Sequence, residues 1–314
     1  MPIKIPNDLP ASKILKEENI FVMDETRALS QRIRPLKLII VNIMPTKIVT
    51  ETQLLRLLSN TPLQIEVDWL CMESHNSKNT SQEHLMEFYK TFNEIKDNKY
   101  DGLIVTGAPV EKLKFEDVDY WDELINIFDW ANTNVFSSFF ICWASQASLY
   151  YYYGVEKYQL KEKLTGVYHH HTNPEKMRRR ILRGFDYQFY APHSRYTSVK
   201  KEDIEKIDSL DILASSNDAG VYLVAEKDGS RFFVTGHPEY DPDTLDKEYH
   251  RDLAKGGDCV MPKNYYKNDD VNDEILVKWR SHAYLLFSNW LNYYVYQNTP
   301  YNLDDLLKMK TTNK

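Results

Sequence analysis

Cysteine is scarce: Cys71, Cys142 and Cys259 are the only three in 314 residues, and no two stand in a C-x-x-C spacing. That pattern excludes a disulfide framework and points to a reducing compartment, so a cytoplasmic protein is expected. Glycine is sparse too. Gly107-Ala108-Pro109 is too poor in glycine for a dinucleotide fingerprint and no G-x-x-x-x-G-K-[ST] occurs, which argues against nucleotide-driven chemistry. Long apolar runs are missing. The longest apolar stretch, residues 275–296, is broken by Lys278, Arg280, His282, Asn289 and Asn292, too polar for a membrane span. The first twenty residues, MPIKIPNDLPASKILKEENI, mix prolines with charges and lack the apolar centre of a secretory signal. Positive charge is in deficit. A formal net charge of −7 argues against non-specific nucleic-acid binding, so no nucleic acid and no membrane are expected as partners.

What is present is alternation. Residues 1–35 read as an N-terminal arm that wraps the core rather than joining a sheet. From there LKLIIVNI (36–43) reads as a strand, 46–59 as a helix with Leu54, Leu55, Leu57 and Leu58 inward, and 63–70 as a strand. Residues 83–95 read as a helix, 102–106 as a strand, 117–131 as a helix and VFSSFFI (135–141) as a buried strand. Strands alternating with helices of this length predict an α/β fold, a mainly parallel sheet with helices on both faces. After Tyr153 short strands dominate (GVYHH, GFDYQFYAPHS, DILASS, GVYLVAE, RFFVTGH), with a hairpin signal at Lys227-Asp228-Gly229. Helices over 242–255, 273–297 and 303–309 close a single domain spanning 36–297, followed by a tail from 298 to 314. Sites in such sheets form beyond the carboxyl ends of the strands. Three segments end strands there: Met44-Pro45-Thr46-Lys47, Gly107–Glu111 and Cys142.

Cys142 carries the chemistry. It follows a buried strand and precedes a helical stretch, so its sulfur is expected at the positive end of a helix dipole, exposed and favoured as thiolate. Downstream, the strand RFFVTGH ends in His237-Pro238-Glu239, and side chains two apart in an extended segment share a face. Glu239 is therefore placed to orient His237, completing a nucleophile, a base and an orienter. Each element alone also reads as ordinary structure: a core thiol, a core histidine, a turn. In His169-His170-His171, only His169 and His171 share a face, and no cysteine or acid stands at a useful spacing, so no metal is expected. The basic run Lys176–Arg180 reads as a solvated loop, with attraction of coenzyme phosphates as the alternative.

The segments NIMPTKIVTETQLLRLLSNTPLQ, GLIVTGAPVE, FICWASQASLYYYYGV, APHSRYTSV, AGVYLVAEKDG, VTGHPEYD and WRSHAYLLFSNWLNYYVYQNTPY resemble the MetA-type homoserine O-acyltransferases over nearly the whole chain. The resemblance implies a class I glutamine amidotransferase-like (flavodoxin-like) fold. It also implies acyl transfer from acyl-CoA to the hydroxyl of L-homoserine, in methionine biosynthesis, by a homodimer with no permanently bound cofactor. By matching motif, Cys142 is the acyl-accepting nucleophile, His237 the general base and Glu239 its partner. Lys163, Ser194 and Arg251 match positions that bind the amino acid, and Lys47 matches a lysine near the active site. Backbone N–H groups of Trp143 and of the Gly107–Glu111 loop are expected to hold the oxyanion. At position 111, glycine goes with succinyl-CoA and glutamate with acetyl-CoA, so Glu111 predicts acetyl-CoA as co-substrate. Succinyl transfer, a glutamine amidotransferase-like hydrolase and a non-enzymatic reactive-cysteine protein are the competing readings. The chain also departs from the family's pattern. Cys142-Trp143-Ala144 stands where Cys-Trp-Gly is usual, so the elbow must accept a methyl group without positive φ. Tyr150–Tyr153 replaces a histidine-richer run, and the segment between Lys163 and Ser194 is longer than the family's.

Overall fold

The computed structural model describes residues 3–6, 9–17, 23–24, 34–75, 79–256 and 259–306. In chain order the strands are β1 (Ile3–Ile5), β2 (Met23–Asp24), β3 (Leu36–Val41), β4 (Ile65–Leu70), β5 (Tyr89–Lys90), β6 (Tyr100–Val105) and β7 (Val135–Ile141). Then come β8 (Lys157–Thr172), β9 (Gln188–Val199), β10 (Leu210–Ser216), β11 (Gly220–Glu226) and β12 (Arg231–Val234). All twelve join one sheet in the order β2-β1-β4-β3-β6-β7-β12-β11-β10-β8-β9, with β5 also on β4. The half from β2 to β12 is parallel, and β11 to β9 is antiparallel.

Period-two alternation sorts the parallel strands between two cores. Leu38 and Ile40 of β3 and Phe139 and Ile141 of β7 enter one core, roofed by α2 (Lys47–Leu58) and α9 (Arg280–Trp290). Ile39, Val41 and Phe140 point the other way, toward α5 (Trp121–Asn134) and α6 (Trp143–Tyr153). Each such side chain, fully buried, contributes roughly 1.5–3 kcal/mol. Gly102 of β6 is required by close approach. A Cβ there would stand 2.7 Å from Leu38 Cδ2 and 2.9 Å from Trp290, so the missing side chain makes room for the indole.

Several segments differ from the sequence reading. The arm does join the sheet: β1 pairs in parallel with β4 (Ile3↔Ile65, Lys4↔Glu66), and Leu9, Ala11 and Leu15 are buried beside α2. The helix expected over 83–95 is broken into α3 (Gln82–Phe88) and α4 (Phe92–Ile95), because Tyr89 extends to pair with Trp69. Residues 273–279 are not helical. A bridge between Tyr266 and Ile275 and the Trp279 Nε1–H bond to Tyr240 O (3.1 Å) hold them out of the helix, and α9 then runs into a π-helical turn at Leu291–Tyr296. Near the C-terminus Leu303–Asp305 form one 3₁₀ turn, and 307–309 lie outside the described residues. Among the described residues no helix is long and apolar enough to cross a membrane.

Candidate active site

The three strand ends named from sequence converge. Met44, Pro45 and Thr46 after β3, residues 108–113 after β6, and Cys142 after β7 line one cleft of about 520 Å³. Further walls come from α2, from Lys163 of β8, from Ser194 and Tyr196 of β9, from the segment after β12 that holds His237 and Tyr240, and from α8 (Thr244–Ala254).

Cys142 occupies the sharp turn between β7 and α6 with φ 52° and ψ −115°. A non-glycine residue there stores roughly 1–3 kcal/mol of strain and needs its neighbours to hold it. They do: Cys142 N–H donates to Val234 O (2.7 Å), and Cys142 O accepts from Ser145 N (3.0 Å) and Ser145 Oγ (2.6 Å). The thiol is 6% exposed, recessed at the cleft floor rather than open as the sequence implied. The positive φ falls on Cys142 itself. Ala144 lies inside α6, fully buried, so its methyl group needs no unusual backbone.

His237 and Glu239 follow β12, which pairs with β7 and so brings them beside the thiol. His237 Nδ1 and Glu239 Oε1 are 2.7 Å apart, which places the proton on Nδ1 and leaves Nε2 to exchange protons. Burial alone would lower the imidazole's pKa. The charges of Cys142 and Glu239 overcome that and hold it well above its ordinary value. Tyr240 stacks on the ring at 4.1 Å and fixes its plane. Gly107 closes the other side: a Cβ there would stand 3.3 Å from both Cys142 Cβ and His237 Cε1.

Lys163, Ser194 and Arg251 reach the cleft, as does an acid the sequence reading missed, Glu248. Glu248 accepts from Ser194 Oγ (2.5 Å) and Tyr240 OH (2.9 Å), with Lys163 Nζ at 3.7 Å. Lys163 also donates to Asp252 Oδ2 (2.8 Å), and the Arg251 guanidinium holds Asp252 Oδ1 at 3.0 and 2.9 Å. Burial opposes the charge of Lys163, yet these acids hold its pKa above the ordinary value. Glu248, Arg251 and Asp252 stand at i, i+3 and i+4 on α8, one helical face. That spacing was the available signal.

Glu111 faces the cleft. Burial raises its carboxyl pKa, against the opposing pull of its own and Tyr196's backbone N–H and of the His237 and Lys163 charges. Trp143 opens α6, and a first-turn N–H there has no intrahelical acceptor. Lys47 is not brought to the cleft. Its ammonium turns inward to Asn42 O under the Tyr89 ring, and burial lowers its pKa to about 8. The basic run is also elsewhere and is not a free loop: Lys176 pairs with Asp211 (2.8 Å), and Arg179 donates to Glu226 O and Lys227 O. His169 and His171 share a face (4.7 Å between rings), with His170 buried on the other side. Among the described residues no group of three or more possible metal ligands forms.

Over 82% of this chain and 98% of its own, a glutamine amidotransferase from Thermotoga maritima superposes with a TM-score of 0.55 at 12% identity, a likeness of fold alone. A homoserine O-acetyltransferase of Catenibacterium mitsuokai is 72% identical, covering 99% of this chain and 100% of that protein. One from Petrotoga mobilis is 60% identical over 98% of each. The family model described as "HTS: Homoserine O-succinyltransferase" matches residues 2–301. A match of that length, with relatives aligned end to end, makes this chain a member of the homoserine O-succinyltransferase family.

Proposed function

We propose that the protein is a homoserine O-acetyltransferase working through a Cys142 thioester. The observation that carries the reading is the recessed Cys142–His237–Glu239 arrangement at the floor of a cleft that also presents Glu111. The Cys142 thiolate attacks the carbonyl carbon of acetyl-CoA. The tetrahedral oxyanion is held by the Trp143 N–H and an N–H of the Gly107–Glu111 loop, and CoA leaves as a thiol with the proton from His237. Homoserine then binds, its carboxylate on Arg251 and its ammonium on Glu248, with Ser194 and Lys163 setting their spacing. His237 Nε2 takes the hydroxyl proton as that oxygen attacks the thioester, and collapse returns Cys142 as thiolate with O-acetyl-L-homoserine as product. Glu239 keeps the imidazole in the tautomer that does this.

Glu111 supports acetyl rather than succinyl transfer although the family description names succinyl, because it sets a carboxylate where a succinyl group would bring a second one. We place the protein in the cytoplasm, as a homodimer with no bound cofactor, on the family resemblance; sedimentation checks the dimer. The test of the reaction is single turnover. Acetyl-CoA without homoserine should acetylate Cys142, seen by peptide mass, and release one equivalent of CoA, and added homoserine should discharge it. A Cys142→Ala protein that still transfers acetyl at the wild-type rate refutes the mechanism.

A further inference from the structure

Ser194 and Tyr196 of β9 face the cleft, so alternation sends His193, Arg195 and Thr197 inward beneath it. Arg195 is 1% exposed, and all its hydrogen bonds go to neutral acceptors. Its Nε–H donates to His193 Nδ1 (3.4 Å), one terminal nitrogen to Thr197 O (2.6 Å) and the other to Ala219 O (2.6 Å). The imidazole is neutral by its own bonding. His193 accepts at Nδ1 and so carries its proton on Nε2, which it gives to His170 Nε2 (3.1 Å), while His170 Nδ1–H donates to Tyr168 O (2.9 Å). Burial, together with the Arg195 charge, keeps both rings far below the usual histidine range, His170 at about 3. No carboxylate pairs with Arg195 among the described residues. A guanidinium stripped of water and left without an anion is costly, and the groups whose charge would relieve it are Cys142, foremost, and the Tyr158 and Tyr168 hydroxyls.

The geometry connects the two. Thr197 O accepts from Arg195 and from Gln146 Nε2 (3.2 Å), and Gln146 N–H reaches Cys142 O (3.3 Å), so the guanidinium underlies the first turn of α6. Burial weakens the Arg195 charge, and Cys142 is the foremost group restoring it. The other titratable groups bearing on Cys142 are His237 and Tyr240 from the cleft side, with Glu239 and Glu111 acting on His237.

We propose that Arg195 is a positioning residue for the nucleophile, its unmatched buried charge holding Cys142 as thiolate from beneath. This rests on Cys142 being the acyl carrier. His237 changes charge twice in each turnover, whereas Arg195 never does. It therefore stabilises the thiolate both as attacking group and as the group expelled when homoserine takes the acetyl.

The test is the pH dependence of iodoacetamide alkylation at Cys142, followed by peptide mass on the full chain. Arg195→Met should raise the alkylation midpoint by about 1 to 3 pH units, the size of a close charge's effect. It should also slow single-turnover acetylation at neutral pH at least tenfold, while Arg195→Lys restores both. His193→Glu, which hands the guanidinium a carboxylate in place, should act like Arg195→Met, and the neutral His193→Gln should leave the midpoint unchanged. Folded Arg195→Met or His193→Glu protein with a wild-type midpoint overturns the inference. Should neither fold, the His237→Gln/Glu239→Gln double variant decides with Arg195 untouched. Cys142 must then still alkylate at a lower pH than Cys259, and a midpoint equal to that of Cys259 overturns the inference. Loss of the acyl-carrier reading is seen separately, as full transfer by Cys142→Ala.

Discussion

Replacing Glu111 separates charge from size in the choice of acyl donor. The carboxylate lines the cleft that holds Cys142, so on the proposed thioester a succinyl group would bring its terminal carboxylate into the same cleft. Two negative charges about 4 Å apart at an effective dielectric near 20 repel by roughly 4 kcal/mol. At 1.4 kcal/mol per factor of ten, that is about a thousandfold in kcat/KM. Glu111→Gln keeps the shape and removes the charge, so succinyl-CoA use should rise by hundreds-fold with acetyl-CoA use little changed. Glu111→Gly should raise it further by adding room. Acidification makes an independent check. Burial raises the Glu111 pKa, so the carboxylate takes up its proton at a higher pH than an ordinary glutamate does, and wild-type selectivity should shrink as pH falls toward that point. The assay is kcat/KM for each donor at fixed homoserine across pH. Selectivity unchanged in Glu111→Gln but inverted in Glu111→Gly would mean that space, not charge, discriminates. Equal use of both donors by wild type would remove the premise.

Gly107→Ala should fold normally yet lose about ten- to a hundredfold in kcat, because its methyl, 3.3 Å from both Cys142 Cβ and His237 Cε1, pushes the pair apart. A melting temperature beside a turnover number checks it. At the elbow, Cys142→Gly and Cys142→Ala should both be inactive. The glycine protein should nevertheless unfold at higher denaturant, by up to roughly 1–3 kcal/mol, since only alanine retains the strain of φ 52°.

The parallel half was legible because its signals are local. VFSSFFI is a buried strand by composition, the helix after Cys142 follows directly, and His237 and Glu239 are two residues apart, so although the chain turns there rather than staying extended, they still meet at 2.7 Å. Contacts that depend on distant segments were not legible. Tyr89 leaves its helix because its hydroxyl has Glu51 Oε1 at 2.7 Å and Asn42 Nδ2 at 2.8 Å, groups about forty residues away. Lys47 sits beside the cleft by chain position, but the same buried polar cluster draws its ammonium away. Glu248 was hidden for a simpler reason: an acid on a charged helix reads as solvent-facing until β9 brings Ser194 against it. The antiparallel half was seen only in fragments. The sixteen-residue β8 carries a register shift between Gln159 and Leu164 that interrupts any regular alternation.

The short leading strand β1 has a consequence for handling the molecule. It shares the outer border of β4 with β5, covering Ile65 and Glu66 where β5 covers Trp69 and Leu70. Trimming those first residues would bare a row of unpaired amides and carbonyls on a hydrophobic strand, a template for stray chains to stack against. An N-terminal truncation could thus keep full chemical competence and still drive the preparation into precipitate.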